Sequence, residues 1–136
     1  MRRLALALAL CIAAPAQAKT ARELSYSYDR VWPALVRFLR VDEKLKITEK
    51  SEDSGYVLFE LAEGKRTFPG AAELSKLVEP SGRPAVRISI KIEDRPSYVE
   101  LGILERLSEK LRDELGEPPP PPPSPAAPDA PPEDKK

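Results

Sequence analysis

The sequence predicts a two-layer α+β sandwich, an antiparallel sheet of four to five strands with two helices on one face, in the order β-α-β-β-β-β-α. Three observations carry that expectation. Val86, Ile88, Ile90 and Ile92 alternate without a fault against Arg87, Ser89, Lys91 and Glu93, the period of two of a strand with one apolar and one wet side. Val99, Ile103, Leu107, Leu111 and Leu115 recur every four residues with Leu104 alongside, the stripe of an amphipathic helix. Turn-forming clusters at 51–55 and 80–84 divide the intervening chain into hairpin-sized segments. Two one-sided helices and a one-sided sheet bury each other when both helices share a face of the sheet.

Each element follows from its residues. Leu24, Tyr26 and Tyr28 alternate with Glu23, Ser25 and Ser27, which reads as the first strand. Asp29 then stands where a carboxylate accepts from the free N–H groups of a helix start. Val31, Trp32, Leu35, Val36, Phe38 and Leu39 follow at helical spacing, with Arg37 and Arg40 on the opposite side. Pro33 falls in the first turn, where its missing donor does little harm. Leu45 and Ile47 alternate with Lys46 and Thr48, and Val57, Phe59 and Leu61 alternate with Tyr56, Leu58 and Glu60. Segments 45–50 and 56–62 therefore pair as a hairpin across Ser51-Glu52-Asp53-Ser54-Gly55.

Residues 63–70 read as a loop, marked by Gly64, Pro69 and Gly70. Segment 72–79 reads as a strand in which a bulge reconciles the opposite parity of Leu74 and Leu77, and a short helix over 71–78 competes with it. Pro80-Ser81-Gly82-Arg83-Pro84 is a turn into the strand at 86–92. Ser97-Tyr98-Val99-Glu100 has the form of a capping box, opening a helix that runs to about Leu115. Lys110 with Glu114, and Glu109 with Arg112, are spaced to pair on its wet side. Gly116 sits where a left-handed cap belongs, and Pro118 prevents continuation.

The two ends have other compositions. Arg2 and Arg3, the apolar run 4–14 and Ala16-Gln17-Ala18 form, in order, the three parts of a cleavable export signal. The apolar run is shorter than the roughly 20 residues that span a bilayer as a helix. Cys11 suggests a lipoprotein signal as the rival, but Leu10 precedes it where a small residue belongs, and the Ala-Gln-Ala site is the better match. The expectation is a signal at 1–18, one domain at 19–116 and a disordered tail at 117–136. The export is to a periplasm or the exterior, without a lipid anchor. Pro118, Pro119, Pro120, Pro121, Pro122 and Pro123 are unbroken proline, which favours an extended rod of roughly 3.1 Å per residue. Such a tail is either a spacer or a ligand for an aromatic groove.

Composition narrows the chemistry. Of 136 residues none is histidine and one, Cys11, is cysteine. A chain cleaved after Ala18 has no thiol and no imidazole, which removes Ser-His and Cys-His catalysis, the usual zinc sites and any internal disulfide. No calcium-type loop, phosphate-binding glycine loop, G-x-S-x-G or S-x-x-K is present. Lys and Arg total 22 against 22 Asp and Glu, interspersed rather than striped, so no track for a nucleic-acid backbone is available. Glu60 and Glu63, near Lys65 and Arg66, form the one acid–base set that comes into view, and nothing sets it apart from a solvated hairpin end. No catalytic residue, cofactor or metal ligand is assigned. Tyr26, Tyr28, Trp32, Tyr56 and Phe59 either line an apolar groove or seal the two layers, and a domain this small needs most of its aromatics for its core.

The run Tyr26-x-Tyr28-Asp29-x-Val31-Trp32-x-Ala34-Leu35-x-x-x-Leu39 resembles the opening of helix-grip domains. It is most similar to small bacterial envelope proteins of the BamC-like kind, and START-type domains share a comparable strand-to-helix entry. Gly55-Tyr56-Val57-Leu58-Phe59 and the C-terminal helix extend the resemblance over roughly residues 23–115. It implies a helix-grip fold and an envelope setting and carries over no catalytic residue. The context of Cys11 departs from the lipid-anchored pattern of that family. The function expected is that of a non-catalytic exported envelope protein, a protein-binding or structural module for an envelope protein or cell-wall component, with no nucleic acid and no transmembrane segment. The alternative is a small carrier or sensor holding an apolar ligand between the sheet and the C-terminal helix.

Overall fold

A computed structural model describes residues 20–118 and residue 120. The export signal and most of the proline-rich tail, including Pro119, Pro121, Pro122 and Pro123, lie outside the described residues. In chain order the elements are strand β1 (Thr20–Leu24), helix α1 (Tyr28–Arg37), a π-helical turn (Phe38–Asp42), strands β2 (Lys46–Ser51), β3 (Tyr56–Glu63), β4 (Arg66–Val78) and β5 (Pro84–Ile92), and helix α2 (Ser97–Leu115). The five strands form one antiparallel sheet in the order β1-β5-β4-β3-β2. The expected two-layer α+β sandwich is the fold.

The strand parities read from the sequence place the core. Val86, Ile88, Ile90 and Ile92 line the inner face beside Ala72 and Leu74 of β4 and Val57 and Phe59 of β3, all 3% exposed or less. Val31, Leu35, Phe38 and Leu39 from the first helical segment, and Ile103, Leu104, Leu107 and Leu111 from α2, close over them as one cluster. Burial on this scale, at roughly 25 cal/mol per Å² of apolar surface, drives the fold.

Several boundaries differ from expectation. β1 ends at Leu24 and Tyr28 opens α1, because a turn bond from the Tyr26 N–H to the Leu24 carbonyl reverses the chain first. Asp29 lies inside the first turn and does not cap it. Ser27 holds the cap position, and its backbone carbonyl accepts from Arg30 and Val31. The expected loop at 63–70 is instead mostly strand, since the hairpin turns on Gly64-Lys65 and β4 begins at Arg66. Pro69 remains in register opposite Glu60 and its carbonyl accepts from the Glu93 N–H at 2.9 Å. Gly70 is required there for space, since a Cβ would stand 2.4 Å from the Phe59 ring. Gly70→Ala should therefore cost about 1–3 kcal/mol by overpacking, read as a drop in the thermal midpoint by circular dichroism.

Residues 72–78 are strand rather than helix, but with no bulge: Ala72 to Val78 pair in unbroken register with Ile90 to Pro84. Leu77 turns to the outer face, half-buried opposite Ala85. The irregularity lies elsewhere, between Ile47 and Glu49 of β2. The capping box does not form. Pro96 holds the cap position of α2, and Glu100 turns inward, 1% exposed. Its Oε1 accepts from the Ile92 N–H at 2.9 Å and its Oε2 from the Thr20 hydroxyl at 2.6 Å. Lys110 and Glu114 pair at 3.5 Å as spaced, whereas Arg112 meets Glu117 at 3.8 Å in place of Glu109. Gly116 ends the helix at φ 78° but with ψ 171°, a positive-φ stop that is not the left-handed helical cap.

Candidate functional site

The outer boundary of α1 is the most distinctive surface. After Arg37 the helix widens into the π-helical turn, in which the Glu43 N–H bonds back five residues to Phe38. Such turns recur at functional sites because the extra residue redirects side chains. Here Phe38 and Leu39 both point into the core, and Arg40 and Val41 are turned out, Val41 being 60% exposed. β2 then returns as the edge strand of the sheet, with a register irregularity between Ile47 and Glu49 in its pairing with β3.

Between the two runs an open concavity of about 500 Å³, floored by Trp32, Pro33, Val36 and Val41 and edged by Asp29, Arg37, Arg40, Lys50 and Glu52. Arg37 is committed to Glu114 of α2. Arg40 and Lys50 have no ion-pair partner among the described residues. The groove thus combines an apolar floor with two cations that have no ion-pair partner among the described residues, and with the carboxylates of Asp29 and Glu52 on its edge.

Trp32 of the floor is backed by a neighbouring ring. Tyr28 stacks on Trp32 with ring centroids 6.2 Å apart and planes 7° from parallel. Lys76 Nζ lies 4.8 Å from the Tyr28 ring centroid on its way from β4, a cation–π contact. The Tyr28 hydroxyl donates to the Glu52 carbonyl, tying α1 to the β2–β3 turn. Burial, followed by the Glu52, Asp53 and Asp29 carboxylates, raises the Tyr28 phenol above its ordinary pKa, so it remains a neutral donor. A second concavity of about 440 Å³ lies beyond Tyr28, between Asp53, Gly55, Leu74 and Lys76.

The aromatics singled out from sequence do not share this groove. Trp32 lies on its floor, and Tyr28 stacks on Trp32 but lines the second concavity. Phe59 is 1% exposed and belongs to the core. Tyr26 is 7% exposed and donates to the Gly116 carbonyl at 2.7 Å, tying the start of α1 to the end of α2. Tyr56 takes the outer face of β3, where it pairs opposite Glu73 and donates to Glu49. Of the proline run, Pro118 is half-buried and Pro120 exposed. Glu60 meets Lys46 at 3.1 Å and Glu63 meets Arg95 at 2.8 Å, while Arg66 lies over the Phe68 ring at 5.0 Å. Arg95 lies over the same Phe68 ring at 5.1 Å, so Glu63 and Arg66 meet around Phe68, whereas Glu60 is engaged separately with Lys46.

Val41, Arg40 and Lys50 were outside the sequence expectation. Val41 carried a signal: it is apolar, adjoins Arg40 and falls off the Leu35–Leu39 face. Among the described residues no group of His, Cys, Asp or Glu is placed to hold a metal ion, and no helix is long and apolar enough to cross a membrane.

A separate polar cluster closes the far end of the sheet. Ser25 donates to Glu79, and Arg83 Nε donates to the other Glu79 oxygen at 2.9 Å. The Ser25 hydroxyl, then Arg83, hold the Glu79 carboxyl below its ordinary pKa. A carboxyl depressed in the folded state supports the fold above its unfolded pKa and loses that support as pH falls through the folded value. The Glu79 carboxyl resonance should accordingly titrate below the other exposed carboxylates in an NMR pH series, and Ser25→Ala should move it back toward them. No protein-family model and no curated protein matches the chain.

Proposed function

We propose that the chain is a non-catalytic exported envelope protein that binds another envelope protein or a cell-wall component through the groove between α1 and β2. The observation that carries this reading is the pairing of an apolar floor, half-buried at Val36 and exposed at Val41, with Arg40 and Lys50, cations without an ion-pair partner among the described residues. Exposed apolar surface rimmed by polar groups is the mark of an interaction site. The three-part signal at residues 1–18 supports export. The resemblance of the Tyr26–Leu39 run to the opening of helix-grip domains of BamC-like envelope proteins agrees with that setting.

Binding follows from the same geometry. An apolar side chain of the partner leaves water against Trp32, Pro33 and Val36, and an adjacent carboxylate meets Arg40 or Lys50. Tyr28, held at both its ring and its hydroxyl, stacks on Trp32 and keeps that part of the floor preformed, which lowers the ordering cost of association. Val41→Glu places a charge on the floor at an exposed position, where stability should move by no more than about 0.5 kcal/mol. The expected result is loss of the partner bands crosslinked to wild-type protein in envelope extracts, at an unchanged melting midpoint. Retention of every band removes the groove from the function. N-terminal sequencing of protein recovered from the envelope fraction should begin at Lys19. A lipid co-purifying in stoichiometric amount, detected by organic extraction and mass spectrometry, would instead favour a carrier.

A further inference from the structure

We infer that the groove between α1 and β2 is occupied in the resting protein by the chain's own tail, with residues 124–129 on the apolar floor and the acidic groups that follow at Arg40. The inference rests on the groove being a peptide-docking surface, and it adds a resident occupant that a partner must displace.

Where the tail leaves the domain makes this possible. The end of α2 lies against the start of α1: the Tyr26 hydroxyl donates to the Gly116 carbonyl at 2.7 Å, and Arg30 approaches the Leu115 carbonyl at 3.5 Å. The tail therefore departs beside the first turn of α1, at the same end as Asp29 and Pro33 of the groove. α1 spans ten residues, or about 15 Å at 1.5 Å per residue. From Pro118 to Asp129 the chain reaches about 34 Å in polyproline conformation, at roughly 3.1 Å per residue. That length crosses the helix start and then follows the whole groove. Pro120 is exposed, as a spacer between the domain and a docked segment must be.

Composition matches as well. Ser124-Pro125-Ala126-Ala127-Pro128-Asp129 offers small apolar side chains to a floor of Trp32, Pro33, Val36 and Val41. Proline-rich segments dock on aromatic-lined grooves at low entropic cost because they are already extended. Asp129, Glu133 and Asp134 then meet the end of the groove at Arg40, away from Asp29, where Arg40 has no ion-pair partner among the described residues. Tethering through a short spacer gives an effective concentration on the order of millimolar, so a contact too weak to hold a free peptide is populated in cis.

Trp32 is the only tryptophan and Cys11 the only cysteine, which makes the test direct. In the full chain carrying Cys11→Ser, Ala127→Cys is labelled with a nitroxide, and Trp32 emission is compared with that of the unlabelled chain. Docking predicts loss of more than half the emission, independent of protein concentration. Arg40→Glu should restore most of it, and combining Arg40→Glu with Asp129→Lys, Glu133→Lys and Asp134→Lys should bring the loss back. Undiminished emission in the labelled chain, or quenching indifferent to Arg40→Glu, overturns the inference. Quenching that grows with concentration overturns it in favour of a second copy as occupant. Crosslinking of a partner that remains sensitive to Val41→Glu while no quenching occurs would leave the binding function standing and remove the tail alone.

Discussion

Ile90→Asp should abolish the cooperative unfolding transition altogether. Ile90 is 1% exposed, paired opposite Ala72 on one side and Thr20 on the other, under the two helices. A carboxylate there has no partner, and the surrounding Ile88, Ile92 and Leu107 offer no donor. Burying an unpaired charge belongs to the few changes that cost more than about 4–5 kcal/mol, against a total stability of roughly 5–15 kcal/mol for a domain. The graded series makes the cause visible. Ile90→Val should cost about 0.5–1.5 kcal/mol and Ile90→Ala about 2–5 kcal/mol. In a domain of this size each kcal/mol lowers the midpoint by roughly 4–8 °C. Thermal melts followed by circular dichroism, with dispersion of amide resonances as the measure of tertiary order, check the series. A well-dispersed Ile90→Asp spectrum with a near-normal midpoint would mean that the inner face is wet and that the layers do not close over β5.

Glu100→Leu should rank next, at about 2–3 kcal/mol, the upper part of the range for an orphaned buried donor. The carboxylate is 1% exposed and accepts from the Ile92 N–H and the Thr20 hydroxyl, with Lys91 Nζ 3.7 Å from Oε1. Ile92 lies two residues beyond the Thr20–Ile90 pair, the first described pair of β1 with β5. Its N–H therefore needs an acceptor from outside the described ladder, and the first turn of α2 provides one. Leucine fills similar space but leaves that donor unpaired inside the domain, and a buried orphan carries the full desolvation cost. Glu100→Gln keeps a carbonyl for Ile92, and the Thr20 hydroxyl can rotate to accept from the amide, so its loss should be only about 1 kcal/mol. Thr20→Val combined with Glu100→Leu should cost less than the sum of the two single changes, because the pair shares one bond. Hydrogen exchange adds a local readout, with the Ile92 amide losing protection in Glu100→Leu before the rest of β5. Equal midpoints for the leucine and glutamine variants would show that the carboxylate holds nothing in place.

Both residues illustrate how far pattern reaches. Ile90 was legible because alternation along 86–92 depends only on the pleat of a strand and the presence of one wet face. The stripe from Val99 to Leu115 was legible for the corresponding reason on a helix. Glu100 was misread because spacing from Ser97 describes a local bond, whereas the carboxylate finds stronger partners 8 and 80 residues away in sequence. Pro69 and Gly70 were read as loop residues on their own preferences. Pairing with β3 and the space needed by the Phe59 ring override them. Leu77 suggested a bulge only if every leucine must face the core. A half-buried place opposite Ala85 removes the need.

The groove was only partly in view. Tyr28 and Trp32 were recognised, but grouping them with Tyr26, Tyr56 and Phe59 assumed that aromatic residues near in pattern are near in space. Alternation sends Tyr56 and Phe59 to opposite faces of β3, and the reversal after Leu24 carries Tyr26 to the end of α2. Arg40 and Val41 became site residues only through the π-helical turn, which breaks the helical period on which the reading relied.

Local periodicity and composition were sufficient for the α+β class, the order of the elements, the inward residues of β3 and β5 and the buried stripe of α2. Each of these depends on backbone geometry that repeats along the chain, so neighbouring residues report it. The strand order, the partners of Glu100, the continuity of β4 through Pro69 and the surface joining α1 to β2 emerged on assembly. They depend on which distant groups must be satisfied or excluded together once water has left the interior, and no window of consecutive residues contains both members of such a pair.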